Sequence, residues 1–144
     1  MNLYTWDELK HFVDHCSRCG LCRTRKRPVM GRGDLKSKIM LIAEAPGRVE
    51  DEQGIPFVGR SGQVLDELLE SIGLSREQIY ITNSNKCHPP GNRDPESEEQ
   101  EACMPYLKYE TALIRPRIMV CLGRIAACRV IRSDFRITRE HGQW

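Results

Sequence analysis

The apolar residues of this chain fall into short runs separated by polar, glycine- and proline-rich stretches, and the period of the runs changes along the sequence. Ile39-Met40-Leu41-Ile42-Ala43 is continuously apolar, the pattern of a strand covered on both faces. Val64, Leu65, Leu68, Leu69 and Ile72 recur at helical spacing, with Ser61 as the candidate cap and Gly73 as the stop. Ile79-Tyr80-Ile81-Thr82-Asn83 reads as a second strand, and Ile118 to Leu122 as a third that breaks at Gly123. Thr5-Trp6-Asp7-Glu8 is a capping box that opens a short first helix toward His15, and residues 16–33 read as a basic loop. The proline-rich stretch from Cys87 to Pro95 leads into a polar helix capped by Asp94 or Ser97, in which Pro105 predicts a kink. Ile125 to Ile131 reads as a further helix, and Phe135 and Ile137 begin a last element.

Strands alternating with helices predict a three-layer α/β/α fold around a central parallel sheet, with right-handed crossovers and a ligand site at the carboxyl ends of the strands. Glu44 and Asn83 both fall at such ends. The 144 residues suit one domain, 1–144, with a single core and no internal repeat or linker.

Composition adds a compartment. The first residues lack the basic and then apolar run of a secretory signal, and no apolar stretch is long enough for a bilayer, so a cytoplasmic protein without a membrane partner is expected. In a reducing compartment seven cysteines are expected to bind metal or to pack in the core rather than to form disulfides. Net charge is only +2, but its distribution is uneven. Arg18, Arg23, Arg25, Lys26, Arg27, Arg32, Lys36 and Lys38 share their segment with one acid, Asp34, whereas Asp94, Glu96, Glu98, Glu99 and Glu101 gather elsewhere. Such segregation suits a basic face for phosphates, although an ordinary solvated surface would give the same pattern.

The candidate chemistry lies between the cysteines. Cys16 and Cys19 precede, and Cys87 and Cys103 follow, a loop reading Glu44-Ala45-Pro46-Gly47, with Glu50-Asp51 and Pro56-Phe57-Val58-Gly59 after it. An all-thiolate set suits an iron-sulfur cluster or structural zinc, and a zinc ribbon would more usually close with a second short C-x2-C pair. Cys22 makes another C-x2-C step with Cys19 and is the rival ligand for the first pair, while Cys121 and Cys128 fall on a strand and a helix where apolar packing accounts for them.

These blocks, with Tyr80-Ile81-Thr82-Asn83, Lys86-Cys87, Pro89-Pro90 and Cys103-x-Pro105-Tyr106-Leu107, resemble the family 4, or type-4, uracil-DNA glycosylases over essentially the whole chain. Ala43 stands where that family usually has glycine, and His88 where it usually has arginine. The resemblance implies a uracil-DNA glycosylase-like domain whose Cys16, Cys19, Cys87 and Cys103 hold a [4Fe-4S] cluster. It further implies a monofunctional hydrolase that removes uracil from single- or double-stranded DNA, acting as a monomer. By the same resemblance Phe57 stacks on the flipped base, Asn83 reads it, Ala45 and Gly47 line its departure site, Glu50 sits near uracil C5, and Glu44 serves the attacking water. Members of the family continue with a further strand and a His-Pro motif, so the resemblance implies a C-terminally incomplete domain lacking an edge strand, with His141 a surface residue and no substitute. Two other readings stand beside the enzyme: a cluster-bearing DNA- or partner-binding module with little catalysis, and a zinc-stabilised structural domain.

Overall fold

The computed structural model describes residues 4–144. Its elements are α1 (Trp6–Asp14), β1 (Arg32–Gly33), β2 (Ile39–Ala43), α2 (Arg48–Gln53), α3 (Arg60–Ser71), β3 (Tyr80–Asn83), α4 (Ser97–Ile114), β4 (Ile118–Cys121), α5 (Arg124–Val130) and α6 (Ile137–Glu140). The strands form one sheet in the order β1-β3-β2-β4, with β2 parallel to both β3 and β4. The two-residue β1 lies antiparallel on the outer edge of β3, so the expected parallel sheet gains one antiparallel strand from within the basic loop.

The continuous apolar run of β2 follows from burial on both faces. Met40 and Ile42 pack with Tyr80, Leu107, Ile114 and Ala126 on the side covered by α4 and α5. Leu41 turns the other way, to Leu65, Leu69, Ile79 and Ile81 beneath α3. A satellite core of Leu9, Val13, Met30, Cys103 and Tyr106 fastens α1 to α4 and brings Cys16 alongside Cys103. Full burial of each large apolar side chain contributes about 1.5–3 kcal/mol, so the three clusters together supply the main stabilisation of the layers.

Several ends differ from those the sequence predicts. The Thr5–Glu8 capping box does open α1. At α3, however, Gly59 is the cap and Ser61 lies inside the helix. Glu96, rather than Asp94 or Ser97, caps α4, in a reciprocal box with Glu99 that Arg93 reinforces through two 2.8 Å bonds to the Glu99 carboxylate. At α4 the Glu96 side chain accepts from the Glu99 amide while the Glu99 carboxylate accepts from Glu96 N, and at α3 no side chain caps the first turn. The helix α4 runs through Pro105 without interruption. Only part of the apolar face of α3 is buried: Leu65 and Leu69 face the sheet while Val64, Leu68 and Ile72 are exposed. No helix among the described residues is long and apolar enough to cross a membrane.

Candidate active site and cysteine cavity

The parallel register aligns Ala43 on β2 with Asn83 on β3, so both strands release their chains at the same level. The chain leaving β3 then clamps the chain leaving β2. Ser84 N donates to Ala43 O at 2.8 Å, Asn85 N to Glu44 O at 2.9 Å, and Ser84 Oγ to Glu44 O at 2.9 Å. His88 Nδ1 donates to Pro46 O at 2.8 Å, which ties the loop after Cys87 to the same segment. Glu44 is thereby held by its own backbone at the mouth of a cavity of about 640 Å³, which Ala45, Gly47, Glu50, Phe57 and Asn83 also line. All six residues expected at the site are gathered there. A separate cleft lined by Arg32, Asp34, Pro56 and Arg76 contains none of them.

The short helix α2 was not apparent in the sequence, and it gives Glu50 and Asp51 their roles. Gly47 caps it without a side chain, and Gly54 ends it in the left-handed conformation at φ 72°. The buried Glu50 carboxylate accepts from Val58 N at 3.1 Å and Gly59 N at 2.9 Å, the two amides just before α3. It therefore braces the Phe57 loop as well as lining the cavity. Asp51 accepts from Lys26 N at 2.9 Å and Arg27 N at 3.4 Å, joining the basic loop to the same helix.

Phe57 has φ 56°, a region that costs a residue with a β-carbon on the order of 1–3 kcal/mol unless its surroundings impose it. Arg76 does so: its guanidinium donates to Phe57 O, to Pro56 O at 3.2 Å and to Gly62 O at 3.0 Å, and pairs with Asp66. A β-carbon at Gly62 would come within 1.9 Å of Phe57 O, so that close approach requires glycine. The strained aromatic stands over the cavity with its ring partly packed on the α3 core. The signal for Arg76 in the sequence was nil, since it reads as one more surface cation.

Electrostatics distinguish Glu44. Burial, and then the Asp94 carboxylate, raise its pKa above the ordinary carboxylate value, opposed by Arg124. Asp94 and Arg124 themselves pair at 2.8 Å on the surface. Asn83 is only 3 % exposed, and its carbonyl accepts from Lys86 Nζ at 2.7 Å. The Lys86 ammonium also donates to Thr82 Oγ1 at 2.7 Å and forms a buried pair with Glu110. Glu110 is fully enclosed and accepts further from Tyr80 OH at 2.9 Å, Gly31 N at 3.1 Å and Thr82 Oγ1 at 3.0 Å.

Behind this network lies a second, smaller cavity lined by Cys16, Cys19, Cys22, Cys87, Cys103 and Arg25. Among the described residues no three histidine, cysteine or acidic side chains converge closely enough to hold one metal ion. A cubane makes a different demand, since each thiolate takes a different iron, and the thiols ring a space rather than meet at a point. The donors around them fit sulfur ligands that carry negative charge. Arg25 Nη1 donates to Cys87 Sγ at 3.0 Å, Lys86 N to Cys103 Sγ at 3.2 Å and Arg18 N to Cys16 Sγ at 3.5 Å. Burial pushes the Cys103 thiol up to about 12 and raises Cys87 and Cys19 as well. Arg25 is thus turned inward, its other nitrogen donating to Cys16 O at 2.8 Å, and is withdrawn from the basic surface to which its sequence neighbours belong. Cys121 packs against the sheet core, and Cys128 Sγ lies 3.6 Å from Phe135 O, away from this cavity.

The α/β domain thus gathers a carboxylate, an aromatic ring and a carboxamide around one cavity at its strand ends. The description of the Uracil DNA glycosylase superfamily matches residues 30–144, and the chain belongs to that superfamily and, by its relatives, to the type-4 branch. It is 50% identical to the type-4 uracil-DNA glycosylase of Archaeoglobus fulgidus, over 84% of this chain and 61% of that protein. It is 51% identical to the type-4 enzyme of Saccharolobus solfataricus, over 78% and 52% of the two chains. With the type-4 enzyme of Thermotoga maritima the identity is 43%, over 86% and 67%. The first of these matches spans about three-fifths of the relative's length.

Proposed function

We propose that this chain excises uracil from DNA, single- or double-stranded, as a monofunctional hydrolase of a cytoplasmic repair system, leaving an abasic site. The observation that carries the reading is the convergence of Glu44, Phe57 and Asn83 on one cavity at the carboxyl ends of β2 and β3. A base stacked in duplex must be flipped out to reach it. The Phe57 ring supplies a face on which any base can stack. Asn83 then discriminates: its Oδ1 accepts from uracil N3–H and its Nδ2 donates to O4, whereas cytosine presents the opposite polarity at both positions and leaves buried groups unpaired. Glu44, as the carboxylate, orients the attacking water and stabilises positive charge developing on the sugar. Ala45 and Gly47 border the departing base, and the family resemblance puts Glu50 near uracil C5.

Cys16, Cys19, Cys87 and Cys103 would hold a [4Fe-4S] cluster, and the all-thiolate set with its three sulfur-directed donors supports this. When bound, that group cross-links the loop after α1 to the loop after β3 and to α4.

The test is release of free uracil from an oligonucleotide by the purified chain, compared with Glu44→Gln and Asn83→Asp. Uracil release that falls by at least about a hundredfold in Glu44→Gln supports the assignment of charge stabilisation. A shift in Asn83→Asp from uracil toward cytosine supports the recognition role. DNA binding without uracil release would select the binding-module reading instead.

A further inference from the structure

We propose that Cys22 is a reserve ligand for the iron-sulfur cluster, able to take over the iron held by Cys19; this rests on the cluster reading above. Five cysteines line the small cavity, one more than a cubane takes. Cys19 caps the 3₁₀ turn Gly20–Arg23, and Cys22 lies inside it, with Cys22 N donating to Cys19 O at 3.3 Å. Cys19 is the extended residue that opens the turn and Cys22 follows three residues on, so one short turn brings both thiols to the same cavity. Both are half-buried and both line the cavity. The remaining cysteines have other employment: Cys121 packs on the sheet, and Cys128 lies against the carbonyl of Phe135.

Leu21 is 1 % exposed and anchors the turn at its centre, and a β-carbon at Gly20 beside Cys19 would meet no atom within 4 Å. The exchange is redox-neutral. The Cys22 thiol gives up its proton, its sulfur bonds to iron as the iron–sulfur bond to Cys19 opens, and the released Cys19 sulfur takes up a proton. Alkylation or oxidation of Cys19 would then leave the cluster in place with a changed ligand, whereas Cys16, Cys87 and Cys103 have no such neighbour within one turn.

The experiment uses alanine rather than serine, because a serine alkoxide can itself bind iron. The chain and its Cys19→Ala, Cys22→Ala, Cys16→Ala and Cys19→Ala/Cys22→Ala variants are purified without oxygen, and iron is measured per chain together with visible absorption. About four irons are expected in the parent, with Cys19→Ala and Cys22→Ala within about twofold of it and the double variant and Cys16→Ala at least about tenfold lower. Loss of iron in Cys19→Ala as complete as in the double variant overturns the proposal, and so does loss in Cys22→Ala alone, which would make Cys22 the ordinary ligand. A parent without iron overturns the cluster reading itself, so the two failures are distinct. Mass mapping after iodoacetamide gives an independent readout. Cys22 is expected to be alkylated in the loaded parent and protected in loaded Cys19→Ala; alkylation in both overturns the proposal.

Discussion

The ammonium of Lys86 donates to the carbonyl oxygen of Asn83 at 2.7 Å while the amide of the same lysine donates to Cys103 Sγ at 3.2 Å. One buried residue therefore joins the end of β3 to the cysteine cavity, and its charge is balanced by Glu110. Lys86→Met would leave the Glu110 carboxylate buried without its cation, a change that typically costs about 3–5 kcal/mol. Lys86→Met/Glu110→Gln is expected to recover a substantial part of that loss, because the amide can still accept from Tyr80 and Thr82. Denaturant unfolding of the two variants checks this, and equal destabilisation of both would show that the ion pair is not the source.

Phe57 offers a test in which the usual order of substitutions reverses. Removing the ring by Phe57→Ala is expected to weaken DNA carrying uracil and DNA carrying cytosine alike, by about 1–3 kcal/mol. Glycine at the same position loses the ring too, but it accepts φ 56° without strain. Phe57→Gly is therefore expected to be more stable than Phe57→Ala by about 1 kcal/mol or more, measured by thermal unfolding.

The pH profile of uracil release should report Glu44. Its pKa lies above the ordinary carboxylate value, so the active carboxylate is lost as pH falls through that raised value and the rate declines on the acid side. Asp94 contributes to the raising and Arg124 opposes it. Asp94→Asn is thus expected to move the acid limb to lower pH, and Arg124→Gln to move it to higher pH. Shifts in the same direction, or none, would detach the limb from Glu44.

Salt dependence of DNA binding should separate the cations that face solvent from the one that does not. Each phosphate neutralised adds about 0.9 to the logarithmic slope on duplex DNA. Lys26→Gln and Arg27→Gln are each expected to lower the slope by up to that amount, since both side chains are exposed. Arg25→Gln is expected to leave it unchanged and instead to disturb the cysteine cavity, visible as loss of iron.

Strands β2, β3 and β4 and the long helices were legible because each rests on a local pattern, such as the unbroken apolar run of β2 and the helical spacing of Leu65 and Leu69; Glu44 and Asn83 were legible as strand-end residues, whereas Ala45, Gly47, Glu50 and Phe57 were marked by the family resemblance. Capping was less legible. A serine near a helix start looks like a cap, but the cap of α3 falls two residues before Ser61, where Glu50 holds Gly59 N, and α4 begins at the Glu96–Glu99 box one residue before Ser97. Nothing local marks Arg25 as inward among its basic neighbours, or Arg76 as the residue that holds Phe57 in place. The six residues of α2 escaped notice for a different reason. With two glycines at its ends and acids within, the segment lacks an apolar stripe, and it is stable because Glu50 and Asp51 bond to chain segments on either side.

The bonds from Asp51 to the basic loop end on backbone amides, at Lys26 N and Arg27 N, and so do not depend on which side chains those positions carry. Substitutions at residues 26 and 27 therefore keep these backbone bonds to α2 and forgo only the exposed 3.4 Å pair of Lys26 with Glu52. On the function proposed above, a graded set of variants, from acidic through neutral to basic, would tune grip on DNA while leaving the residues around the Glu44 cavity untouched, making the two properties separately adjustable in a single small scaffold.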